Sequence, residues 1–358
     1  MAKLTDLKEI LNLLIQKGAS DLHLSAGFPP HIRIDEKLIS CEFDQLSNED
    51  IKNLIYSILS NDQKKELERD LELDMSFALG DVARFRANMF YQRGNLGMAI
   101  RSLPAHIMSF EECGLPVNVL VDLCKKNKGL VLVTGATGSG KSTTLASMVE
   151  FINNDRPVHI VTIEDPIEYV YNGKKAVIDQ REVGHDTHSF AEALKHILRQ
   201  DPDVILIGEM RDLESIELAL NAAETGHLVL ATLHTSDSVQ TINRIVDVFP
   251  QHQQEQVRVQ LSFVLNAVLA QQLVPKTDDT GRALALEILK LTPAVRSLIR
   301  DQKVHQIYSA IQTSQKDGMR TMNQSLYELY RTQKISYEDA IARTSEIDDL
   351  KRMLKLGV

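Results

Sequence analysis

A glycine-rich segment in the middle of the chain has the residue types of a phosphate-binding loop. The segment reads LVLVTGATGSGKSTTLASMVEF and contains G-x-x-x-x-G-K-S between a predicted buried strand and a predicted helix. Glycines allow the backbone amides to turn toward phosphate oxygens, and the helix N-terminus adds partial positive charge. In this pattern Lys141 reaches the β- and γ-phosphates, and the Ser142 hydroxyl binds Mg²⁺. The predicted nucleotide-binding residues are Gly135, Ala136, Thr137, Gly138, Ser139, Gly140, Lys141, Ser142 and Thr143.

Polar residues also stand where three further apolar runs end. Glu164 ends the run VHIVTIE, and Glu209 and Arg211 follow the run VILIG. Thr232 and His234 lie at the end of HLVLATLH. In an open parallel sheet, ligands bind beyond the carboxyl ends of the strands. We therefore expect these side chains and the phosphate loop to face one edge of a single sheet.

The two glutamates at these strand ends suit the hydrolysis of a γ-phosphate. That reaction needs a metal ion, a positioned water and positive charge on the phosphate oxygens. Glu164 is the candidate general base, because a carboxylate aimed at the water can orient it and accept its proton. Glu209 is expected to hold Mg²⁺ together with Ser142, directly or through water. Glu209 could instead be the base, and the sequence does not separate the two roles.

The other carboxylates of the segment EDPIEY have a purely structural alternative. Asp165 and Glu168 could cap the following segment, or could pair with Arg211 or Arg181. Neither is therefore assigned a catalytic role.

These candidates require a parallel sheet in the second part of the chain. From residue 129 onward, apolar runs of four to six residues alternate with helical stretches, which is typical of strands buried on both faces in βαβ units. After about residue 250 the chain is predicted to be mainly helical, with one further strand at RALALEIL. The sequence predicts an α/β domain over residues 117–358, with a helical C-terminal region from about residue 290.

The first part of the chain predicts a small α+β domain over residues 1–103. SDLHLS, HIRIDEKL, MSFALG, ARFRANMFYQRG and LGMAIRSLP read as short strands, most of them alternating at period two. SNEDIKNLIYSILSNDQKKELERDLE is predicted to be helical, with Ser47 as its N-cap. Residues 104–116 contain two prolines and a Gly-Leu-Pro, and they are predicted to be a linker.

Composition and charge exclude several classes of protein. The 358 residues include three cysteines, too few and too irregularly spaced for a disulfide framework or a thiolate zinc site. No apolar run approaches the roughly 20 residues of a membrane span, and the N-terminus lacks the pattern of a signal peptide. The net charge of −9 argues against a nucleic-acid partner. We expect a soluble, cytosolic protein.

The motifs together resemble those of the GspE/PilT family of secretion ATPases. TGATGSGKSTTLA, TIEDPIEY, ILIGEMRD and TGHLVLATLHTSD are similar, in order and spacing, to its Walker A, Asp-box, Walker B and His-box motifs. GASDLHLSAGFPP, AVRSLIRD and QTSQKDGMRTMNQSL resemble the branch that retracts type IV pili. The resemblance implies a hexameric ring, a PAS-like N-terminal domain, a RecA-like P-loop ATPase domain, and ATP bound between neighbouring chains. Ala136 stands where the family usually has proline, and AVRSLIRD where the usual form is AIRNLIRE.

The resemblance gives the arginines of the first domain a possible role at the nucleotide. On ARFRANMFYQRG, the residues Arg84, Arg86 and Asn88 share one strand face, and Arg101 follows on the next strand. A row of arginines is usually a solvated face. In a ring, Arg84, Arg86 or Arg101 would point at ATP held by the same or an adjacent chain. An arginine finger of this kind contributes about 10³–10⁵ in rate.

Two histidines at the ends of one predicted strand fall within the His-box resemblance. His234 is expected to sense the γ-phosphate or to relay domain motion, and His227 to support it. The alternative is that both are hydrogen-bonded structural residues.

The function that the resemblance implies is a Mg²⁺-dependent ATPase that retracts type IV pili and so drives twitching motility. Its partners would be the inner-membrane platform protein and pilus machinery, with no nucleic acid and with membrane contact only through partners. It would be cytoplasmic, peripheral at the inner membrane. The alternatives are an accessory retraction paralogue, a pilus-assembly or type II secretion ATPase, a RecA-like nucleic-acid translocase, and a non-hydrolysing scaffold. Assembly ATPases usually carry a longer N-terminal region and a four-cysteine metal insert, and neither is found in this sequence.

Overall fold

The computed structural model describes residues 6–34, 37–80, 83–103, 106–278 and 280–356. The chain divides into two units, Met1–His106 and Ile107–Val358. The first two residues of the predicted linker, 104 and 105, lie outside the described residues. Residues 107–116 belong to the second unit, because Phe110 and Leu115 are buried in its core. Within the described ranges, no helix combines the length and apolar character that a membrane span requires.

The first unit is an α+β fold built on an antiparallel sheet in the order β3-β2-β1-β6-β5-β4. Its helices are α1 (Leu7–Gln16), α2 (Asn48–Tyr56) and α3 (Asn61–Asp70). Its strands are β1 (Asp21–Ser25), β2 (His31–Ile34), β3 (Lys37–Ser40), β4 (Glu72–Leu79), β5 (Ala83–Gln92) and β6 (Asn95–Leu103). The predicted period-two alternation is observed on β5, where Phe85, Ala87 and Met89 are buried in the core.

The prediction of one long helix over residues 47–72 is wrong in one respect, because this segment forms two helices. Ser47 caps α2 as predicted, and its side chain accepts from the backbone amide of Asp50. Ser60 caps α3 in the same way, with Gln63 closing a second capping box. A capping box satisfies amides that would otherwise lack partners at a helix start. The sequence SNDQ therefore begins a new helix instead of continuing the first.

The second unit is an α/β fold with a seven-stranded sheet in the order β13-β12-β7-β11-β10-β8-β9. Its strands are β7 (Gly129–Thr134), β8 (His159–Glu164), β9 (Val177–Glu182), β10 (Val204–Ile207), β11 (Leu228–Leu233), β12 (Leu265–Pro275) and β13 (Arg282–Lys290). Neighbouring strands pair in parallel except β13, which is antiparallel to β12. The predicted fold class, an α+β domain followed by an α/β domain, is confirmed.

Helices pack against this sheet and continue beyond it to Leu356. They are α4 (Val117–Cys124), α5 (Lys141–Asp155), α6 (Phe190–Ile197), α7 (Leu213–Glu224), α8 (Ser238–Asp247), α9 (Gln254–Val264), α10 (Pro293–Arg300), α11 (Ile307–Thr313), α12 (Met322–Arg331), α13 (Tyr337–Arg343) and α14 (Ile347–Leu356). The helical C-terminal region begins at α10, close to the predicted position near residue 290.

Two strands of this sheet were not predicted from the sequence. The prediction of mainly helical structure after residue 250 is wrong for β12, which follows α9 directly. No glycine or proline separates the two elements, and a short apolar run does not distinguish a buried strand from a helix. β9 is an edge strand with partly exposed residues, so it lacks the apolar run that identified the central strands.

Candidate active site

The glycine-rich loop connects the end of β7 to the start of α5, as the sequence predicts. Gly135 has φ 141°, a region that side chains rarely adopt. A Cβ at this position would lie 2.4 Å from the backbone oxygen of Gln271 and 2.5 Å from the Ser139 Oγ. Glycine is therefore required, because β12 passes directly behind the loop. Gly140, at the N-cap of α5, also has a positive φ of 89°.

Lys141 lies at the first position of α5 and folds back onto the loop. Its Nζ donates to the carbonyl oxygens of Gly135 at 2.8 Å and Ala136 at 3.0 Å. Burial lowers the pKa of Lys141, while the negative charges of Glu209 and Glu168 oppose that shift. Both carboxylates therefore lie within electrostatic range of the loop, on the same edge of the sheet.

Glu164 is the last residue of β8, and its carboxylate is buried with 9% exposure. Its Oε1 accepts from the Thr162 hydroxyl at 2.8 Å and from the Gln180 amide at 3.2 Å. Burial raises the pKa of Glu164 to about 7, the nearby Glu168 charge adds to the shift, and the two hydrogen bonds oppose it. A carboxylate with a pKa near the working pH is suited to accept a proton from water.

Glu209 follows β10, and its carboxylate lies between the side chains of Arg211 and His234. Its Oε1 forms an ion pair with the Arg211 guanidinium, and its Oε2 lies 3.2 Å from the His234 Nε2. Arg211 is thus paired with Glu209 and forms no ion pair with Asp165 or Glu168 among the described residues. The amide of Gly208 donates to the carbonyl of Ile163 at 2.8 Å, which ties the ends of β10 and β8 together.

Comparison with known proteins decides the family. The model of the type II/IV secretion system protein family matches residues 2–347. The chain belongs to this family. It is 49% identical over 335 residues to the type IV pilus retraction ATPase PilT of Pseudomonas aeruginosa, covering 94% of this chain and 97% of that protein. It is also 47% identical to a twitching motility protein of Neisseria gonorrhoeae, covering 95% and 92%.

Solved structures agree with this assignment. The pilus retraction motor PilT with bound ADP superposes with a TM-score of 0.92 at 52% identity, covering 97% of this chain and 99% of that one. The Legionella pneumophila ATPase DotB gives a TM-score of 0.81 at 26% identity, covering 100% and 98%. The predicted resemblance to the retraction branch is confirmed, and this secretion-family protein is PilT-like.

The two residues predicted to hold Mg²⁺ both offer oxygen atoms, which are the ligands that a hard cation prefers. Ser142 is exposed in the first turn of α5, and Glu209 offers a carboxylate. Mg²⁺ prefers oxygen ligands and is usually held by one or two protein groups together with substrate phosphates. No cluster of three or more metal-ligating side chains occurs in the part of the chain that the structure describes. A metal at this edge would therefore depend on phosphate oxygens as well.

His227 and His234 lie at opposite ends of β11. His234 reaches Glu209, but the His227 Nδ1 lies 2.9 Å from the carbonyl of Ala222 at the amino end of the strand. Six strand residues span about 20 Å. Within one chain, His227 is therefore separated from the phosphate loop by the length of the sheet. Its predicted role at the nucleotide would need the loop of a neighbouring chain.

The predicted arginines form a row on one face of the first unit's sheet. Arg86 and Arg101 are directly opposite each other on β5 and β6, and Arg101 is opposite Asp21 on β1. The Arg101 Nε lies 2.9 Å from the Asp21 Oδ1. Arg84 lies two residues along β5 and is partly buried. The row gives this face of the sheet a positively charged stretch, and its contact with nucleotide stays a prediction.

Gln180 on β9 is a site residue that the sequence did not reveal. Its Nε2 donates to the Tyr169 carbonyl at 2.8 Å as well as to Glu164, and its Oε1 accepts from the Tyr171 amide at 3.0 Å. The Tyr169 hydroxyl in turn lies 3.1 Å from the Thr143 hydroxyl in α5. The amide thus connects the candidate base to the phosphate-binding helix. A polar residue on an edge strand gives no signal of this role in the sequence.

Gln271 on β12 is a second residue of this kind. Its Nε2 donates to the Thr144 hydroxyl at 2.7 Å, beneath the first turn of α5. Its Oε1, the Ser139 Oγ and the Thr134 Oγ1 are buried and have no hydrogen-bond partner within the described ranges. The phosphate loop and the strands behind it therefore carry three buried polar atoms without a partner among the described residues.

Proposed function

We propose that the protein is a hexameric Mg²⁺-dependent ATPase that powers retraction of type IV pili. The observation that carries this proposal is the placement of Lys141, Glu164 and Glu209 at the carboxyl-end edge of one parallel sheet, the edge that also carries the phosphate loop. The 49% identity to PilT supports the coupling of that chemistry to pilus retraction.

Hydrolysis in this proposal depends on a small number of side chains. On nucleotide binding, the Lys141 ammonium exchanges its two loop carbonyls for β- and γ-phosphate oxygens, and the loop amides donate to the same phosphates. Mg²⁺, when bound by Ser142 and Glu209, supplies charge neutralisation at the phosphates. Glu164 orients the attacking water and accepts its proton, since its pKa of about 7 suits a base at neutral pH.

Glu209 is the less suitable base in this arrangement because its two oxygens already contact Arg211 and His234. Because the His234 Nε2 contacts the Glu209 Oε2, a change in the position of Glu209 would also affect His234.

The ring would complete the site with groups from neighbouring chains. Arg84, Arg86 and Arg101 would contact the nucleotide of the same or an adjacent chain, and His227 would support the site across an interface. Rigid-body motion between the two units, driven by hydrolysis, would act on the inner-membrane platform protein and the pilus machinery from the cytoplasmic side. No nucleic acid takes part.

Phosphate release by the purified protein tests the activity, and its molecular mass in solution with ATP tests the hexamer. We expect robust hydrolysis that Mg²⁺ chelation abolishes and that added DNA does not stimulate. Deletion of the gene in its host tests the role: excess surface pili with lost twitching indicate retraction, whereas bald cells indicate assembly.

An accessory retraction role is the second candidate, and the chain is also 41% identical to the P. aeruginosa type IV pilus ATPase PilU. Negligible activity of the purified protein alone, restored by a partner ATPase, would favour that alternative.

A further inference from the structure

A buried carboxylate outside the nucleotide edge joins the starts of two helices. Glu287, in the middle of β13, is 3% exposed. Its Oε1 accepts from the backbone amide of Ser238 at 2.8 Å and from the Ser238 hydroxyl at 2.7 Å. The backbone of Met322 also hydrogen-bonds to this carboxylate. Ser238 is the first residue of α8 and Met322 the first of α12, so one side chain contacts both helix N-termini.

The start of α8 is connected in turn to His234. The Thr235 hydroxyl, next to His234, lies 2.7 Å from the Thr241 hydroxyl in α8. The Thr241 hydroxyl also donates to the carbonyl of Asp237 at 2.7 Å. The loop that carries His234 is therefore hydrogen-bonded to the first turn of α8. Glu287 accepts hydrogen bonds from Ser238 at the start of the same turn. At the other end of this path, the His234 Nε2 lies 3.2 Å from the Glu209 Oε2.

The same stretch of β13 is also attached to the C-terminal helical region. The amide of Leu286 donates to the Ser325 hydroxyl at 3.0 Å. The amide of Ile288 donates to the carbonyl of Arg320 at 2.8 Å, forming an isolated bridge. A displacement of α12 would therefore be transmitted to β13 and to the Glu287 carboxylate.

The choice of a carboxylate at this buried position needs a reason. Burying a charge is costly, and a well-packed apolar residue of similar size often serves stability equally well. A carboxylate can accept several hydrogen bonds at once, and helix N-termini favour negative charge. Glu287 thus links two helix N-termini through the hydrogen bonds of one carboxylate, which an apolar side chain could not do.

We propose that Glu287 is a positioning residue for ATP hydrolysis, linking α12 to the loop that places His234 beside Glu209. This inference rests on the proposed ATPase activity and on a role for His234 in it. Glu287 contacts no reacting atom, so it acts only through His234.

A double-mutant cycle on the full-length protein tests this path. We expect Glu287→Gln to lower kcat about tenfold with KM for ATP changed less than about twofold, because misplacement of an active-site group lowers the rate without removing substrate contacts. In a His234→Ala background, Glu287→Gln should change kcat by less than about twofold. The loss of thermal stability caused by Glu287→Gln should be equal in both backgrounds.

Ser238→Ala gives a milder version of the same test if Glu287→Gln does not fold. It removes the hydroxyl contact and keeps the backbone amide, so a loss of about threefold in kcat is expected, again only when His234 is present. Glu338→Gln, at an exposed position on α13, is the matched control and should leave kcat and stability unchanged.

Three results would overturn the inference. Equal fold losses in kcat with and without His234 would show that Glu287 does not act through His234. Wild-type kcat in both Glu287→Gln and Ser238→Ala would remove the path itself. Wild-type kcat in His234→Ala would remove the group through which Glu287 acts. Failure of the proposed function looks different, because the wild-type protein would then release no phosphate.

Discussion

The Lys141 ammonium donates a hydrogen bond to the carbonyl oxygen of Gly135 at 2.8 Å, so the phosphate loop holds its own lysine. The lysine is six positions further along the chain and lies in the first turn of α5. The contact keeps the positive charge at the sheet edge that also carries Glu164 and Glu209. A nucleotide therefore meets a loop in which the cation is already in place.

Removal of the Lys141 ammonium should weaken nucleotide binding. Hydrogen bonds to charged groups contribute about 1.5–3 kcal/mol, so Lys141→Ala should raise the Kd for ATP by roughly ten- to a hundredfold. Titration with a fluorescent ATP analogue measures this change. Lys128→Ala is the control, since this exposed lysine lies just before the start of β7, at the end of the strand that is far from the phosphate loop. Equal affinity of Lys141→Ala and wild type would contradict the assignment of the loop.

Substitution of the two glutamates should separate the base from the metal ligand. Loss of a general base costs about 10²–10⁴ in rate, so Glu164→Gln should lower kcat by that factor and still bind ATP. Glu209→Gln should instead raise the Mg²⁺ concentration needed for half-maximal activity. Steady-state phosphate release, measured at a series of Mg²⁺ concentrations, distinguishes the two variants. A Glu164→Gln protein with the wild-type rate would remove Glu164 from the mechanism.

The pH dependence of hydrolysis should report the Glu164 carboxylate. Its pKa is raised to about 7, and a base must be deprotonated, so kcat should fall as pH decreases through neutrality. Gln180 donates to this carboxylate, which lowers its pKa. Gln180→Met removes that donor, and the acidic limb of the pH–rate profile should therefore move to higher pH. An unmoved limb would show that Glu164 does not control it.

The same shifted pKa should affect stability with a defined sign. The pKa of Glu164 is raised from 4.5 in the unfolded reference to about 7 in the folded protein. The buried charge therefore destabilises the fold above about pH 7, and the penalty disappears as pH falls toward 4.5. At pH 8, Glu164→Gln should be up to ~3 kcal/mol more stable than wild type, with the difference shrinking toward pH 5. Urea unfolding at both pH values measures it, with Glu338→Gln as the control; equal differences at pH 5 and pH 8 would contradict it.

Two glycines of the loop should respond differently to alanine. At Gly135 a Cβ would lie 2.4 Å from the Gln271 backbone oxygen, so Gly135→Ala should displace β12 or the loop and abolish ATP binding. At Gly138, with φ 78° and open space around it, alanine should cost only about 1–2 kcal/mol. Thermal unfolding and ATP titration of both variants test the contrast. Similar behaviour of the two would show that β12 does not constrain the loop.

Much of the site could be predicted because its signals are local in the chain. The phosphate loop is eight consecutive residues, and Glu164, Glu209 and His234 each follow an apolar run that was identified as a strand. The parallel-sheet rule then places them at one edge, and the structure has them there. Ser47 as an N-cap was predictable for the same reason, since its partner Asp50 is three residues away.

The partners of these residues were decided only by the tertiary structure. Gln271 reaches Thr144 across 127 positions, and Glu287 reaches Ser238 across 49. Gln180 supports Glu164 from an edge strand that carries no apolar run. Hydrogen bonds between distant positions leave no periodic pattern in a sequence, because each depends on which strands become neighbours in the sheet. The sequence therefore determined which residues are the candidates for the chemistry, and the packing of β9, β12 and β13 determined how those residues are held.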